Sequence, residues 1–381
     1  VEQGILDLCR GLDQTRFKII IATTLPSSHS WDRLAREAGA SVYHLANILS
    51  PNAEAHGLVH LVLNHHIDCL YIIHSRIAYE NLKLLKQIVP GLSIVDRNEV
   101  IDPGGGFPLI SAAAGRSYIN LRTVSHKKLA QHMYENYGLP PGSLRVIYAG
   151  TDTRRIDQAQ AQRRRPLHAM CNLRSETPIV AFVGRFTPQK RPAVFVRTVA
   201  NILRIQPECD AQFAMIGDGE LRPEVETIIS KLRLNGRVHL LGVHSNALEL
   251  LADATLLLMP SAYEGLALIS YEAMSLGVPQ IFANVNGQSE LVTPDTGILI
   301  DNGPGEEIRY AQACLELLSD PDRRARMARV GREKVKSHFT AESAVKQYAE
   351  IFEEMAESSR KQASEIPHLR PPHINPLHEL V

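Results

Sequence analysis

Short apolar runs alternating with helical stretches, in two successive series, predict an α/β protein built from two doubly wound domains. Three observations carry this. The 381 residues exceed what one hydrophobic core usually fills. Each series has strand-length apolar runs bounded by polar turns. A polar, arginine-rich stretch, 151–176, lies between the two series and reads as an interdomain linker.

The first series occupies residues 1–150. Val1 to Leu12 has the periodicity of a helix, with Ile5, Leu6, Leu8 and Leu12 among its apolar positions. Buried parallel strands are expected at Phe17 to Ala22, Cys69 to Ile73, Leu92 to Val95 and Leu144 to Tyr148. Helices are expected at Ala78 to Ile88 and at Ser125 to Tyr137, the latter with Ser125 as N-cap and Gly138 as the stop. In the linker, Arg163, Arg164 and Arg165 read as a solvated face rather than a site for phosphate or lipid headgroups.

The second domain spans 177–337, with strands at Ile179 to Val183, Gln212 to Ile216, Val238 to Leu241, Ala254 to Met259, Val278 to Phe282 and Gly297 to Ile300. Helices follow at Glu306 to Leu318, Pro321 to Ser337 and Ala341 to Ala356, so that 338–358 forms a C-terminal helix. Beyond it, 359–381 becomes rich in proline and histidine and is expected to be a disordered tail rather than a metal-binding tract. In open α/β sheets ligands bind beyond the carboxyl ends of the strands, so the site is expected to face a cleft between the lobes.

Composition narrows the function. Lys plus Arg and Asp plus Glu both number 41, so no global field favours nucleic acid or an anionic membrane. The five cysteines are far apart and lack a C-x-x-C pair, which argues against a disulfide framework or zinc knuckle and for a reducing cytoplasm. No apolar run has the roughly 18 residues of a spanning helix. A cytoplasmic protein, with at most peripheral contact at the cytoplasmic membrane face, is expected.

The most informative segment is Pro260 to Pro279, read as strand, tight loop, helix, strand. Gly265 frees the loop, a helix runs from about Leu266 to Leu276, and Gly277 with Pro279 ends it. The helix N-terminus offers unpaired N–H groups and a positive dipole end to a diphosphate, with Glu264 beside it. Glu272 lies within a mostly apolar helix, about 9 Å along the axis from its start. There it suits two vicinal ribose hydroxyls; taken alone it reads rather as an exposed polar position of an amphipathic helix.

A second segment, Gly184-Arg185-Phe186 through Lys190, follows the first strand of this domain. Its two cations suit a departing nucleotide diphosphate, Arg185 as a fork and Lys190 as a point charge, and taken alone they also fit a basic surface loop. Gly217-Asp218-Gly219 and Arg237 to Gly242 are strand-end turns that could frame a base pocket, and Asn286 to Glu290 brings another carboxylate to the same edge.

Together these segments resemble the retaining glycosyltransferase family 4, whose members have the GT-B fold, two Rossmann-like domains facing across a cleft, and use nucleotide-diphosphate sugars. The likeness is strongest over Ile179 to Ile300, where Gly184-Arg185 with Lys190, the Gly217 turn, the Glu264 and Glu272 pair, and Glu290 stand in the family's order. It implies that Arg185 and Lys190 hold the donor diphosphate, that Glu264 faces the donor sugar and that Glu272 accepts the ribose hydroxyls. It further implies that Gly184, Gly217, the amides of Gly265, Leu266 and Ala267, and Glu290 build the donor pocket. Where the family commonly has a bulky aromatic and a glycine after the loop glycine, this chain has Leu266 and Ala267.

The reaction so implied moves a sugar to an acceptor hydroxyl of a glycan, lipid-linked or small-molecule acceptor, with retention. No metal or other cofactor is expected, since positive side chains and amides replace a divalent ion. Family members usually begin with a strand and a Gly-Gly loop, which the resemblance implies are missing here. Many relatives place a histidine after a strand of the first domain. This chain has none in the corresponding stretch, leaving Asp96, Asn98, Glu99 and the preceding His74 as acceptor-side candidates or strand-end turn residues. The loop Gly104 to Pro108 reads as mobile, and His56 with His60 as a polar helix edge rather than a metal site. A sugar-nucleotide epimerase of similar fold and a non-catalytic degenerate transferase module are the rival readings.

Overall fold

The computed structural model describes residues 2–26, 31–114, 118–161 and 165–365. The chain divides into unit 1, Val1–Tyr148 with Glu342–Val381, and unit 2, Ala149–Ala341. Arg163, Arg164 and the proline- and histidine-rich segment from Pro367 onward lie outside the described residues.

Unit 1 runs α1 (Glu2–Gly11), β1 (Ile20–Thr23), α2 (Asp32–Glu37), β2 (Ser41–His44), α3 (Leu45–Ile48), α4 (Pro51–Asn64) and β3 (Cys69–Ile73). It continues with α5 (Arg76–Glu80), α6 (Leu82–Ile88), β4 (Ser93–Asn98), α7 (Gly106–Ala113), β5 (Leu121–Val124), α8 (Lys127–Tyr137) and β6 (Leu144–Val146). All its strand pairs are parallel, β1 with β2 and then β3-β4-β5-β6. Among the described residues no ladder joins β1 to β3.

Unit 2 opens with α9 (Thr153–Ala161) and α10 (Pro166–Met170), then β7 (Ile179–Val183), α11 (Pro192–Ile205), β8 (Gln212–Ile216), α12 (Arg222–Lys231), β9 (Val238–Gly242) and α13 (Ala247–Ala252). β10 (Leu256–Met259), α14 (Leu268–Leu276), β11 (Gln280–Ala283), α15 (Gln288–Leu291), β12 (Gly297–Ile300), α16 (Glu306–Ser319) and α17 (Pro321–His338) follow. Its six parallel strands are ordered β12-β11-β10-β7-β8-β9. The order reverses between β7 and β10, which is the topological switch point of a doubly wound sheet.

Each core follows from the local pattern. β7 reads Ile-Val-Ala-Phe-Val, apolar at every position because helices cover both faces, and its Phe182 ring meets Phe186 and Phe195 at 5.8 and 5.7 Å. In unit 1, Tyr71 of β3 packs on Tyr348 and Phe352, with ring centroids 5.2 and 5.3 Å apart. Those two rings belong to α18 (Ala341–Glu365), whose buried Val345, Tyr348 and Ile351 recur at helical spacing. The helix therefore closes unit 1, and Ser93 Oγ donates to its Met355 carbonyl at 2.7 Å.

Several expectations from the sequence need correction. The presumed linker contains α9 and α10, with Ile156, Ala159 and Leu167 buried, so it is part of unit 2. Its high polarity belongs to the outer faces of those helices. The last helix continues to Glu365, past the expected start of the tail at 359. Gly106, Phe107 and Pro108 form the first turn of α7 rather than a loop. The expected helix Ala78 to Ile88 breaks at Asn81, whose side-chain amide donates to the Ile77 carbonyl at 2.8 Å. His126, not Ser125, caps α8, its Nδ1 accepting from the Leu129 amide at 3.1 Å, while Gly138 ends the helix at φ 63°. β2 and β5 escaped the apolar-run criterion because both carry polar residues, Arg122 and Thr123 of β5 being buried.

Candidate active site

The carboxyl ends of β7 and β10 flank the switch point of unit 2, and the loops that leave them carry the predicted charges. β7 ends at Val183 and runs into Gly184, Arg185 and Lys190; β10 ends at Met259 and runs into Glu264 and Gly265. Lys190 Nζ donates to Glu264 Oε1, joining the two loops directly across the switch point. Glu264 is buried and Lys190 nearly so, which makes this a desolvated pair rather than a surface contact. Arg185 stays exposed beside it, while its neighbour Phe186 anchors the loop in the core. The arrangement leaves one exposed cation next to a neutralised pair.

Four amides that the sequence reading did not single out as site residues hold the β10 loop in place. Gln189 Nε2 donates to the Tyr263 carbonyl at 3.2 Å, and the Ala262 amide donates back to the Gln189 carbonyl at 2.7 Å. Asn286 Nδ2 donates to the Glu264 carbonyl at 2.7 Å, and Asn302 Nδ2 to that of Ser261 at 3.1 Å. Gln288 is fully buried; its Nε2 donates to Ser270 Oγ at 2.8 Å and its Oε1 faces the Ala267 amide at 3.4 Å. Loops after β7, β11 and β12 thus converge on 260–267. Amide side chains within six residues of a strand end are a weak signal in sequence, because turns use the same residues.

Glycine is required most clearly at Gly217, where φ is +136° and a Cβ would lie 2.0 Å from the Gly184 carbonyl oxygen. The close approach lets the Phe186 amide donate to the Asp218 carbonyl at 2.9 Å, stitching the turn after β8 to the Arg185 loop. At Gly184 itself a Cβ would meet nothing nearer than Met259 Cε at 3.5 Å, an ordinary contact. The bare-turn reading of Gly217 is therefore too weak: this turn is a structural partner of the Arg185 loop.

α14 begins at Leu268, two residues later than expected, because Ala267 is an extended N-cap at φ −67°, ψ 123°. Gly265 and Leu266 form a bend that leads into the helix through Ala267. Glu272 consequently sits about 6 Å, not about 9 Å, along the axis from the first helical residue. It is half-buried, between Tyr271 and Ala273, which are fully buried. Glu290 lies in α15 after β11, half-buried, and its carbonyl accepts from Lys334 Nζ at 3.1 Å.

The acceptor-side candidates of unit 1 separate into two kinds. Asp96 and Asn98 are not turn residues: both lie inside β4 and are fully buried, Asp96 Oδ2 accepting from Tyr79 at 2.9 Å. Burial pushes the Asp96 carboxyl up, against the pull of hydrogen bonds and of Arg122. His74 and Glu99 follow the ends of β3 and β4, are each about a quarter exposed, and approach to 3.9 Å. His74 holds φ +51° and stacks on Phe107 with centroids 4.9 Å apart; burial lowers its pKa. Burial alone would raise the Glu99 carboxyl, but Arg97, bonded to it at 2.9 Å, together with the other positive charges near it, His74 among them, brings it to about 2.

Comparison with known proteins gives this geometry a family. Residues 164–334 match the model described as glycosyl transferases group 1. Over these residues the chain is similar to the group 1 glycosyltransferases. The matched residues span β7 to α17 almost entirely, and so contain the paired loops and every amide that holds them.

Among curated proteins the chain is similar to alpha-D-kanosaminyltransferase of Streptomyces kanamyceticus, 30% identical over 55% of this chain and 54% of that protein. It is also similar to N-acetyl-alpha-D-glucosaminyl L-malate synthase of Bacillus anthracis, 33% identical over 46% of this chain and 45% of that protein. The chain spans about half the length of the curated relatives it matches. Among solved structures it resembles Anabaena Alr3699/HepE in complex with UDP, with TM-score 0.77 and 18% identity over 93% of this chain and 96% of that one. A glycosyltransferase from Rickettsia africae gives TM-score 0.76 and 16% identity over 93% and 94%. The fold is GT-B, with a doubly wound α/β architecture in both units.

Among the described residues no group of three or more His, Cys, Asp or Glu could hold a metal ion. His60 of the His56 and His60 pair instead contacts Asn64 at 2.6 Å. Among the same residues no helix is long and apolar enough to cross a membrane.

Proposed function

We propose that the protein transfers a sugar from a nucleotide-diphosphate sugar to an acceptor hydroxyl, with retention of configuration and without a metal ion, in glycan, polysaccharide or glycolipid synthesis. The observation that carries this reading is the Lys190 to Glu264 pair at the switch point with Arg185 exposed beside it. As the glycosidic bond breaks, negative charge grows on the leaving diphosphate, and fixed cations that need no reorganisation stabilise it. Arg185 supplies the planar fork and Lys190 the point charge; N–H groups at the start of α14 add donors. Glu264, locked by Lys190 and by Asn286 on its own carbonyl, lines the sugar side. Glu272, on the next turn, takes the ribose hydroxyls. The departing phosphate accepts the proton of the acceptor hydroxyl.

Support for a uridine donor comes from Anabaena Alr3699/HepE, solved with UDP-glucose and 19% identical to this chain. His74 and Glu99 form the acceptor side of the reading. The five free cysteines fit a reducing cytoplasm, where nucleotide sugars are made.

The test is thermal stabilisation across a panel of nucleotide sugars, followed by product analysis with donor alone and with donor plus acceptor glycans. Stabilisation lost in Lys190→Ala and Glu272→Ala, retained configuration in the product, and turnover unaffected by EDTA are expected. A wild type that no nucleotide stabilises sinks the donor site. Isomerised donor without transfer assigns an epimerase, and recovery of activity by manganese after EDTA refutes metal independence.

A further inference from the structure

A buried arginine beside a carboxylate commonly forks onto both oxygens, because guanidinium and carboxylate match in geometry. Arg97 of β4 does not. Its Nε donates to Glu99 Oε1 at 2.9 Å, while Nη1 donates elsewhere, to the hydroxyl of Tyr348 and to the Ile147 carbonyl at 3.4 Å. Among the described residues no hydrogen bond reaches Glu99 Oε2, which faces His74 Nε2 at 3.9 Å. One oxygen of the carboxylate is tied and the other is left over.

The group that holds Nη1 comes from α18. Thr123 of β5 has a single hydroxyl hydrogen and donates it to the Asp96 carbonyl at 2.8 Å. In the 3.1 Å contact between Thr123 Oγ1 and the Tyr348 hydroxyl, the tyrosine is therefore the donor. Its oxygen remains an acceptor, which is what Arg97 requires. The ring is fixed independently of its hydroxyl: it stacks on Phe352 at 5.7 Å, tilts against Tyr71 at 5.2 Å and lies under the Arg97 guanidinium at 5.8 Å. Arg97, Thr123 and Tyr348 are all buried, so water does not compete for these bonds. At the other end of the chain of contacts His74 holds φ +51° and stacks on Phe107, a backbone that a histidine keeps only where its surroundings over-determine it.

We propose that Tyr348 is a positioning residue of the acceptor side: by holding Nη1 it limits Arg97 to one bond with Glu99 and leaves Oε2 turned towards His74. Arg97 thus keeps the carboxylate charged without occupying it, and a hydroxyl between Oε2 and His74 would find an acceptor on one side and an imidazole on the other. The inference rests on the reading of His74 and Glu99 as the acceptor side, and it adds α18 to that side.

The experiment is an NMR titration of the His74 ring in the wild type, Tyr348→Phe, Glu99→Gln and the double variant. Phenylalanine keeps the ring contacts and removes only the oxygen. Released from it, the guanidinium can turn to fork both oxygens of Glu99 and draw Oε2 away from His74. Burial disfavours the charged imidazole and Glu99 favours it, with Arg97 and Glu2 the other charged side chains acting on it. The protonation constant of His74 should accordingly fall about threefold in Tyr348→Phe, the scale of an ion pair partly open to solvent. Glu99→Gln should lower it in the same direction, and the double variant should show no further fall. An unaltered titration in Tyr348→Phe overturns the proposal. So does an equal fall when residue 99 is already glutamine, which would make Tyr348 a packing residue only. Should Tyr348→Phe not fold, the wild type decides: the two Nη groups of Arg97 are expected to give distinct, slowly exchanging resonances, and a freely rotating guanidinium refutes the assignment. Stabilisation by UDP should be the same in Tyr348→Phe as in the wild type, which keeps this result separate from the donor test. Transfer that survives Glu99→Gln undiminished would sink the acceptor-side reading, and with it the role given to Tyr348, whatever the titration shows.

Discussion

β7 and β10, at the centre of unit 2, are buried over nearly their whole length, whereas β1 and β3 of unit 1 are mostly half-buried. The sequences are equally apolar: Ile-Ile-Ala-Thr and Cys-Leu-Tyr-Ile-Ile against Ile-Val-Ala-Phe-Val and Leu-Leu-Leu-Met. What differs is the neighbour. β7 and β10 each have a strand on both edges, while β1 and β3 both line a cavity of about 710 Å³ in unit 1. Burial at a sheet centre is thus a property of the assembled order, not of the strand that occupies it. The consequence for the candidate site is parallel: the loops that carry Arg185 and Glu264 rise from fully paired strands, and the Glu264 loop is held by loops after β7, β11 and β12, which is the rigidity a preorganised site needs.

The largest effect that would break this contrast is expected at Gly217. A valine there would drive its Cβ into the Gly184 carbonyl at a φ that side chains rarely adopt, costing on the order of 4 kcal/mol and detaching the Arg185 loop. Gly217→Val should therefore lose nucleotide-dependent stabilisation altogether; retention of it would show that the turn is not a fixed part of the site. Lys190→Ala comes next, expected to lower turnover about 100- to 1,000-fold by removing one preorganised cation and leaving Glu264 buried without its partner. Steady-state rates at saturating donor read this, and a loss of less than about threefold would remove Lys190 from the chemistry.

Counterpart strands allow the same substitution in both units. Ile216→Ala in β8 empties a fully packed position and should cost about 2 to 5 kcal/mol. Ile21→Ala in β1 should cost nearer 1 kcal/mol, since Ile21 is half-buried and already borders a cavity, so that little new void is created. Urea unfolding followed through Trp31, the one tryptophan, reports on unit 1, and hydrogen exchange reports on unit 2. Equal costs would mean that the cavity beside β1 is closed in solution.

Much of unit 2 was legible in sequence because its strands are uninterrupted apolar runs: Ile179–Val183, Gln212–Ile216 and Gly297–Ile300 have the boundaries their composition predicts. The charged pair was legible too, as residue types, since Lys190 and Glu264 follow strand ends. That they meet each other was not, because the contact depends on β7 and β10 being neighbours across the switch point, 74 residues apart in the chain. β5 was missed for the opposite reason: inside the sheet Arg122 donates to Ser111, Thr123 to the Asp96 carbonyl and Tyr79 to the Asp96 carboxylate, so polarity there signals a network instead of a surface. Asn286 and Gln288 look like turn residues, and only the convergence of three loops gives them a role.

The smallest expected effect concerns acid, and it separates the two units by charge rather than by packing. Glu99 of unit 1 has its folded pKa depressed from 4.5 to about 2, burial being overcome by the positive charges around it, Arg97 foremost. A depressed carboxylate stabilises the fold above its unfolded value and loses that contribution as pH falls through the folded one. Unit 1 should accordingly weaken between about pH 4.5 and 2. Asp96 has the reverse sign, since burial raises it and favours the protonated form, so it offsets part of the loss. Glu99→Gln removes only the first contribution. Its urea midpoint by Trp31 fluorescence should fall near neutrality by an amount worth about 1 kcal/mol, discounted for a side chain partly open to solvent, and should depend less on pH below 4.5 than that of the wild type. A variant with the same acid profile as the wild type would show that Arg97 does not hold Glu99 ionised.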